Sequence, residues 1–417
     1  MQQPDRTAED ATVKLARELV KVPSITPVDK KDYPNAQKSL DVAADAARLS
    51  GASVTRLDYE GGHAKWDYKV ENLVLEWSFG KPEKHICYIG HLDVVPPGDE
   101  KKWTDDPYSG TVKDGYLYGR GVTDMKGSVA AFISAIDEQL EELKKQGNVK
   151  ITMILTTDEE WAAVNGTSKV LQWLKARGDE PDAFIVGEPS STDELGSHIK
   201  IGRRGSLVGT FNIKGVQGHA AYQELFENPN RALALAVAIL NSHEWKDGNA
   251  NFPNTNFEAV AVKSGDFGAT AIIPGSAQLL WNIRFTAAHT PDTLEKWIND
   301  TLANPPQWAK DHPDFDLLKN IEVKANKDTA SVPYYSEPGA LAQAAQESVK
   351  SVLGTDAKLD GSGGTTDGRF VGNIFPKAEI IELGLPERGG IVCGHKDEHY
   401  LVKGGMHQVD ERASITD

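Results

Sequence analysis

The chain has 417 residues, of which 39% are hydrophobic and 25% charged, and its formal net charge is −16. This length predicts two or three domains, and no apolar run approaches the ~18 residues that a membrane span needs. The 45 basic residues are scattered among 61 acidic ones. This distribution argues against binding to nucleic acid, which requires clustered Lys and Arg, and favours a small molecule as the partner.

The first segment, residues 1–24, predicts a structural helix. It has charge and helical periodicity but no apolar h-region, so it does not resemble a signal peptide. We therefore expect a cytoplasmic protein. The two cysteines, Cys87 and Cys393, have no C-x-x-C spacing, and we interpret them as buried free thiols.

Four short apolar runs predict strands that are buried on both faces. Unbroken apolar runs of this kind are typical of parallel sheets. Between the first two runs, residues 125–143 carry apolar side chains at helical spacing. The alternation of strand and helix predicts a mainly parallel α/β sheet. The runs are ICYIG before His91, ITMIL before Thr156, AFIVG before Glu188, and AEIIELG at residues 378–384.

The hydrophobic pattern changes after Gly205. In AQLLWNIRF, residues 277–285, apolar residues mostly alternate with polar ones, as in a half-buried antiparallel strand. A helix is predicted to begin near Pro229. These features indicate a second, smaller α+β domain. The helix carries an apolar stripe of Leu233, Leu235, Val237 and Leu240.

The domain organisation predicted from these patterns is a discontinuous α/β domain with an insert. The α/β domain comprises residues 1–205 and 324–417, and the smaller α+β domain comprises residues 206–323. The sequence shows no internal repeat and no long low-complexity segment.

Side chains capable of metal binding or acid–base chemistry follow the predicted strand ends. The carboxyl ends of parallel strands open onto one crevice, so we expect His91, Asp93 and Glu188 to lie near Glu159 and Glu160 of the TTDEEW segment. Imidazole and carboxylate together are ligands that zinc uses, and two neighbouring metal ions need a carboxylate to bridge them. The consecutive acids of TTDEEW would tolerate one another beside such a cation, and one of them would remain free to act as a base.

Each of these residues also has a simpler explanation when taken alone. Asp124, just ahead of the helical pattern that starts at Met125, fits a helix N-cap. His91 fits a core histidine with its hydrogen bonds satisfied, and an Asp-Glu-Glu run fits a solvated turn. Their occurrence together at successive strand ends favours the metal site.

Eight segments, in this order and at fitting distances, resemble the dinuclear-zinc aminoacylase and carboxypeptidase family. The resemblance covers almost the whole chain. It implies a zinc-hydrolase catalytic domain and an inserted domain that serves as a lid and for dimerisation, so that the chain would form a homodimer. The segments are GHLDVVPPGD, GRGVTDMKG, TTDEE, GEPS, GRRGSL, GHAAY, GGTTDGRF and MHQVDER.

The resemblance also implies a set of metal ligands. His91 and Glu188 would bind one zinc ion, Glu160 and His407 the other, and Asp124 would bridge the two. Each chain would therefore hold two Zn²⁺ ions, for which Co²⁺ can substitute.

Roles for further residues follow from the same resemblance. Asp93 would orient the imidazole of His91, and Glu159 would be the general base that takes a proton from the attacking water and later delivers it to the leaving amine. His219, in the predicted insert, would reach the site from a lid or, as the resemblance implies, from the partner subunit, and would stabilise the oxyanion as a donor. The residues expected to hold the substrate's carboxylates are Arg203, Ser206, Tyr222, Arg284, Gly364 and Thr365.

The GRRGSL and GGTTDGRF segments are similar to those of the branch of the family that removes succinyl groups from a diamino acid. Arginines near the metals suit a multiply anionic substrate in a protein of charge −16. Two alternatives stay open: a relative that acts on another N-acyl amino acid or a dipeptide, and a metal-binding homologue without catalysis. The presence of Glu159 and of the whole ligand set weighs against the homologue without catalysis.

Two substitutions depart from the family pattern in the predicted insert. Ala271, in GATAIIPG, stands where the family usually has an Asn that points at the substrate, and Gln223 stands in place of a Pro. We expect one substrate hydrogen bond to be missing at Ala271.

An insertion at residues 385–405 is a further departure, and it places Lys403 where an Asn is common. It also supplies two competing histidines, His395 and His399. We favour His407 as the ligand because the segment around it matches the family's sequence motif and the HKDEH segment does not.

Overall fold

The computed structural model describes residues 10–26, 33–60, 69–161, 163–192, 194–387 and 404–415. The chain divides into two compact units. The first comprises Met1–Gly202, Tyr335–Asp360 and Thr366–Asp417, and the second comprises Arg203–Tyr334 and Gly361–Thr365. The domain bounds derived from the sequence, with 206–323 as the insert, stay a prediction.

The secondary structure alternates between strands and helices through most of the described residues. The helices are α1 (Ala11–Val20), α2 (Tyr33–Leu49), α3 (Gly127–Glu138), α4 (Leu140–Gln146), α5 (Thr167–Arg177), α6 (Pro229–Asn241), α7 (Pro291–Ala303), α8 (Gln307–Lys310), α9 (Ala340–Leu353) and α10 (Gly368–Ile374). The strands are β1 (Ser53–Glu60), β2 (Lys69–Ser78), β3 (Lys84–His91), β4 (Thr111–Lys113), β5 (Tyr116–Tyr118), β6 (Val149–Thr156), β7 (Ala183–Val186), β8 (His198–Lys200), β9 (Gly202–Arg203), β10 (Gly205–Lys214), β11 (Gly218–His219), β12 (Asn256–Ser264), β13 (Ile272–Ile273), β14 (Ser276–Phe285), β15 (Ile321–Ser331), β16 (Tyr334–Tyr335), β17 (Lys358–Asp360), β18 (Glu379–Glu382) and β19 (Arg412–Ser414).

The first unit is built on an eight-stranded sheet in the order β1-β2-β6-β3-β7-β18-β8-β17. Four neighbouring pairs are parallel, namely β3 with β6, β3 with β7, β7 with β18, and β8 with β17. The other three pairs are antiparallel. The prediction of a mainly parallel α/β sheet is therefore confirmed, with antiparallel pairs on both sides of the parallel centre β6-β3-β7-β18.

Strand β6 shows why the apolar runs form the centre of this sheet. It lies between β2 and β3, and all its residues from Ile151 to Thr156 are buried. The core around it includes Trp77 and Ile133, so that a sheet residue and a residue of α3 belong to one cluster. Burial of each such side chain stabilises the fold by about 1.5–3 kcal/mol.

The segment between β5 and β6 differs in detail from the single helix predicted over residues 125–143. The structure has two helices there, because α3 ends at Glu138 and α4 begins at Leu140. The N-cap of α3 is Lys126. Asp124 therefore precedes the helix without capping it, which leaves its carboxylate available for other contacts.

The second unit contains a separate antiparallel sheet of four strands, in the order β12-β14-β10-β15. Strand β14 alternates as predicted, with Leu279, Trp281 and Ile283 buried in the core of this unit. Helix α6 begins at Pro229, where the sequence predicted a helix start. The expected α+β insert is thus present as a compact unit with its own core.

Two predictions, on membrane spans and on thiols, concern the described residues. Among them, no helix combines the length and the apolar character required to cross a membrane. Cys87 is a buried free thiol, as predicted. Cys393 lies outside the described residues.

Candidate metal centre and active site

Three adjacent strands of the main sheet bring the candidate site residues to one edge. Strands β6, β3 and β7 are neighbours and run parallel, so their carboxyl ends lie side by side. His91 is the last residue of β3, Glu188 follows β7, and the acids of TTDEEW follow β6. The sheet topology therefore explains why residues far apart in sequence meet here.

The first half of the cluster is centred on the buried imidazole of His91. Its Nε2 lies 3.1 Å from Oδ1 of Asp124 and 3.6 Å from Oε1 of Glu188. The chain between β7 and Glu188 must pass close to Tyr88. A Cβ atom on Gly187 would lie 1.8 Å from the Tyr88 hydroxyl, so only glycine fits at this position.

The second half of the cluster is centred on His407. Its Nε2 lies 3.1 Å from Oε1 of Glu160 and 3.3 Å from Oδ2 of Asp124. The two carboxylate oxygens of Asp124 thus face two different histidines. This is the arrangement that a carboxylate bridge between two cations requires.

The donor atoms are close enough to share cations. Ligand atoms of His91, Glu159 and Glu188 lie within 4.8 Å of one another, and so do those of His91, Asp124 and Glu160. Imidazole and carboxylate ligands in this combination fit zinc, which is bound in proteins by nitrogen and oxygen as well as sulfur. The residues present are therefore chemically suited to a metal centre.

Asp93 contributes to this site through both its backbone and its carboxylate. Nδ1 of His91 lies 2.9 Å from the Asp93 carbonyl and 3.6 Å from its carboxylate. The carbonyl can only accept, so Nδ1 carries the hydrogen and Nε2 faces the cluster. The carboxylate accepts hydrogen bonds from the backbone N–H groups of Glu159 at 3.2 Å and Glu160 at 3.1 Å. Asp93 therefore orients the acidic loop as well as the imidazole.

The three consecutive acids of TTDEEW have different surroundings. Asp158 turns away from the cluster, since its Oδ2 accepts a hydrogen bond of 2.8 Å from the backbone N–H of Asn165. Glu160 contacts His407. Glu159 has a guanidinium nitrogen of Arg369 3.8 Å from its Oε1.

The pKa values of the acids reflect their burial and one another's charge. Burial raises the pKa of Glu159, and the charge of nearby Asp367 raises it further. Burial and the charge of Asp124 raise the pKa values of Glu160 and Glu188. Burial also acts to raise the pKa of Asp124, but hydrogen bonds from the histidines outweigh it and the pKa is lowered. Asp124 is thus the most strongly ionised carboxylate of the cluster.

The histidine pKa values show that positive charge is favoured at the centre of the cluster. Hydrogen bonds to Asp124 and Glu160 raise the pKa of His407 to about 10. Burial disfavours the charged form of His91, but its contacts with Asp124 and Glu188 raise its pKa well above the ordinary value. Without metal, protons on these rings supply the positive charge, and a bound cation would replace them.

The candidate substrate residues and His219 all belong to the second unit. Arg203 is buried and donates from Nη1 to the Ser362 carbonyl at 2.8 Å. The hydroxyl of Ser206 accepts a hydrogen bond of 3.1 Å from Asn282. His219 and Tyr222 are both exposed, with their ring centroids 5.5 Å apart. Gly364 is exposed and Thr365 is half-buried.

Arg284 differs from the other arginines in this group. Its Nη1 is buried and has no hydrogen-bond partner among the described residues. Burial lowers its pKa, and it lies opposite Ser206 and Asn256 on the neighbouring strands. A buried guanidinium nitrogen without an acceptor is suited to an anionic ligand.

Three residues of the predicted insertion lie outside the described residues: His395, His399 and Lys403. The structure reports the contacts of His407 alone among the candidate histidines of the C-terminal segment. Two residues near Glu159 were not among the predicted site residues, although both lie in a quoted motif. Asp367 and Arg369 stand in GGTTDGRF, and their mixture of acid and base within a glycine-rich motif was the available signal.

A mainly parallel sheet with histidines and carboxylates gathered at its edge has the features of a metallohydrolase. The sequence model of the Peptidase family M20/M25/M40 matches residues 87–411. The chain belongs to this family. The resemblance stated from the motifs is confirmed.

Curated relatives cover most of the chain at moderate identity. The succinyl-diaminopimelate desuccinylase of Nitrosomonas eutropha is 38% identical over 375 residues, which are 90% of this chain and 90% of the relative. The enzyme of the same name from Nitrosospira multiformis is 39% identical over 349 residues, which are 84% of this chain and 86% of the relative.

Solved structures show the same fold at lower identity. Human carnosine dipeptidase 1 has a TM-score of 0.70 and 18% identity, and the match covers 98% of this chain and 93% of that one. A dipeptidase from Saccharomyces cerevisiae has a TM-score of 0.71 and 15% identity, and covers 97% of this chain and 92% of that one. The agreement of the fold over nearly the whole chain confirms the predicted fold class.

Proposed function

We propose that this protein hydrolyses the amide bond of N-succinyl-LL-2,6-diaminopimelate to give succinate and LL-2,6-diaminopimelate. The observation that carries the proposal is the acid–histidine cluster, in a chain with desuccinylase relatives at 38% identity over 90% of its length. The proposal includes a role in diaminopimelate and lysine biosynthesis and a cytoplasmic location.

Two Zn²⁺ ions per chain are part of this proposal, with Co²⁺ as a possible substitute. His91 and Glu188 would hold one ion, Glu160 and His407 the other, and Asp124 would bridge them. Zinc held by these residues would supply a lowered pKa of bound water and polarisation of the carbonyl that is attacked.

Glu159 is the proposed general base. It accepts a proton from the attacking water as the new C–O bond forms, and it then donates that proton to the leaving amine as the amide C–N bond breaks. Burial raises the pKa of its carboxylate, which favours uptake of the water's proton in the first step. Arg369, 3.8 Å away, limits the positions that this side chain adopts.

The substrate's carboxylates would be bound by residues of the second unit. Arg284 is the main candidate, because its buried Nη1 has no acceptor among the described residues. The bond that Arg203 makes to the Ser362 carbonyl indicates that it also orders the segment that carries Gly364 and Thr365. Ser206 and Tyr222 would complete the set as hydroxyl donors.

We expect the succinylated substrate to be hydrolysed at least roughly tenfold faster, in kcat/KM, than N-acetyl-diaminopimelate. The succinyl group adds a carboxylate, and one charge-assisted contact contributes about 1.5 kcal/mol, or roughly tenfold. Arg284→Ala should abolish this preference. The measurement is kcat/KM of zinc-loaded protein on both substrates.

Arg231→Ala is the matched control for that experiment. Arg231 is a half-exposed arginine of the same unit, 3.5 Å from Asp314, and its loss should leave the ratio unchanged. Equal rates on the two substrates, or a ratio indifferent to Arg284→Ala, would favour the second candidate function. That function is hydrolysis of another N-acyl amino acid or a dipeptide, which Ala271 favours because it removes an amide side chain from the expected substrate contacts.

The proposed homodimer forms through the second unit, whose antiparallel sheet has an exposed edge. Strand β12 is one of the two edge strands of this sheet, and Val260 and Val262 on it are 57% and 59% exposed. Unpaired edge strands with apolar side chains tend to pair with another chain. Pairing of two copies at this edge would cover both valines.

A complementation experiment tests whether His219 acts in the partner subunit. Glu159→Gln and His219→Ala homodimers should each be nearly inactive. Mixed after dissociation, they should recover about a quarter of wild-type activity, because random pairing yields half heterodimers with one complete site each. The measurement is specific activity after mixing, with each variant alone as control. No recovery despite exchange of subunits would place His219 in its own subunit's site.

A further inference from the structure

The C-terminal segment that carries His407 is tied to the segment that carries Asp124 by a buried ion pair. Arg120 and Glu411 are both almost fully buried, and Nη1 of Arg120 donates to Oε2 of Glu411. The two residues are 291 positions apart in sequence. Additional hydrogen bonds to an ion pair removed from water in this way offset part of the free-energy cost of its burial.

The second carboxylate oxygen of Glu411, Oε1, contacts the backbone at Asp124. Oε1 of Glu411 accepts hydrogen bonds from the backbone N–H groups of Thr123 at 3.0 Å and Asp124 at 3.4 Å. These bonds hold the backbone of the residue whose two carboxylate oxygens face both histidines. A shift of this backbone would move both oxygens of Asp124 together.

The other terminal nitrogen of the guanidinium contacts His407, whereas the buried Nε has no hydrogen-bond partner among the described residues. Nη2 of Arg120 donates to the His407 carbonyl at 3.4 Å. His407 has a φ of 62°, a backbone conformation that residues other than glycine adopt only when neighbouring contacts hold it. The same ion pair thus supports the backbone at two of the proposed metal ligands.

We propose that Glu411, paired with Arg120, is a positioning residue that sets the separation of Asp124 and His407 for metal binding. This inference rests on the proposed dinuclear centre. Asp124, Glu160 and His407 belong to one proposed ion site, in which two of the three ligands depend on the pair. The other site, with His91 and Glu188, shares only Asp124 with it. Glu411 therefore acts mainly on the site that contains His407.

The test is a metal titration of the full chain after removal of metal. Zinc affinity and stoichiometry are measured by competition with a chromophoric chelator for the wild type and for Glu411→Gln, which removes the charge but keeps an acceptor for the N–H groups. We expect one of the two affinities to fall by about 10–100-fold, the effect of losing an outer partner of a metal ligand. We expect the other affinity to change much less.

Glu76→Gln is the matched control. Glu76, which is half-buried, forms an ion pair with the exposed Arg177 in the same unit, at 2.6 Å, and has no contact with the cluster among its described ion pairs. Thermal unfolding of the metal-free variants reports general destabilisation. If both glutamine variants lose metal affinity equally, the effect is general and the positioning role is wrong.

Arg120→Lys is a second variant for the same titration, for use if Glu411→Gln does not fold. Arg120→Lys retains the positive charge, but a single Nζ cannot replace the two nitrogens that contact Glu411 and His407. It should lower the same affinity. Unchanged zinc affinities in a folded Arg120→Lys or Glu411→Gln variant would overturn the proposal.

A double-mutant cycle with His407→Ala separates this role from the proposed function. Once His407 is gone, Glu411→Gln should cause little further loss at that site, because the two changes act on one element. Fully additive losses would contradict the inference. If the wild type binds a single ion, the dinuclear proposal fails. The positioning role then still requires Glu411→Gln to lower the zinc affinity for that ion more than Glu76→Gln does.

Discussion

Glu159→Gln is expected to lower kcat by about 10²–10⁴-fold, the usual contribution of a general base, while the metal content stays at the wild-type value. Glutamine has nearly the same shape as glutamate but cannot accept the proton of the attacking water. The backbone N–H of Glu159 is held by Asp93, so the loop should keep its position. Steady-state kinetics and metal analysis of the same preparation measure both effects.

Glu160→Gln is the matched control for this variant. Glu160 is the next residue in the chain and is held by the same carboxylate, but its side chain contacts His407 at 3.1 Å. We expect this variant to lose metal affinity, with activity that returns in part at high zinc concentration. If the two variants behaved alike in both assays, the assignments of base and ligand would be wrong.

Asp124→Ala is expected to weaken the binding of both metal ions by more than about 100-fold, beyond the loss that follows from removing an outer partner of a ligand. The reason is that one carboxylate serves both halves of the cluster, with Oδ1 3.1 Å from His91 and Oδ2 3.3 Å from His407. Its removal also takes away the one carboxylate that raises the pKa values of both histidines. Zinc titration of the metal-free chain, with two ions expected for the wild type, measures this loss.

Asp93→Ala provides a graded comparison for the bridging role. The Asp93 carboxylate contacts the loop backbone and the hydroxyl of Thr26, and its carbonyl remains available to His91 after the substitution. We expect a loss of about 10–100-fold in metal affinity, smaller than that of Asp124→Ala. Saturation of the wild type at one ion, with Asp124→Ala indistinguishable from it, would refute the dinuclear centre.

The roles of the three acids in TTDEEW depend on where each side chain points. Asp158 accepts a backbone hydrogen bond from Asn165 and is not among the proposed metal ligands. Glu159 and Glu160 share the support of Asp93 but face Arg369 and His407 respectively. Repulsion among the acids is reduced in part by this separation and in part by the charged histidines.

The sequence by itself determined the strands, the inserted unit and the family. Runs such as ITMIL are local patterns, and a strand buried on both faces needs an unbroken apolar stretch wherever it lies in the sheet. The alternation in residues 277–285 is likewise a property of neighbouring residues. Local spacing is sufficient for such features, because the hydrophobic effect acts on each side chain according to the face it occupies.

Only the tertiary structure decided how the polar groups share their contacts. Asp124 precedes helix α3 without capping it, and the carbonyl of Asp93, not its carboxylate, is nearer to His91. The pairing of Arg120 with Glu411 joins residues 291 positions apart. Hydrogen bonds depend on distances of a few tenths of an ångström and on burial, and both are set by the packing of the whole first unit. No sequence spacing encodes them, so these contacts emerge only when strands and loops are assembled.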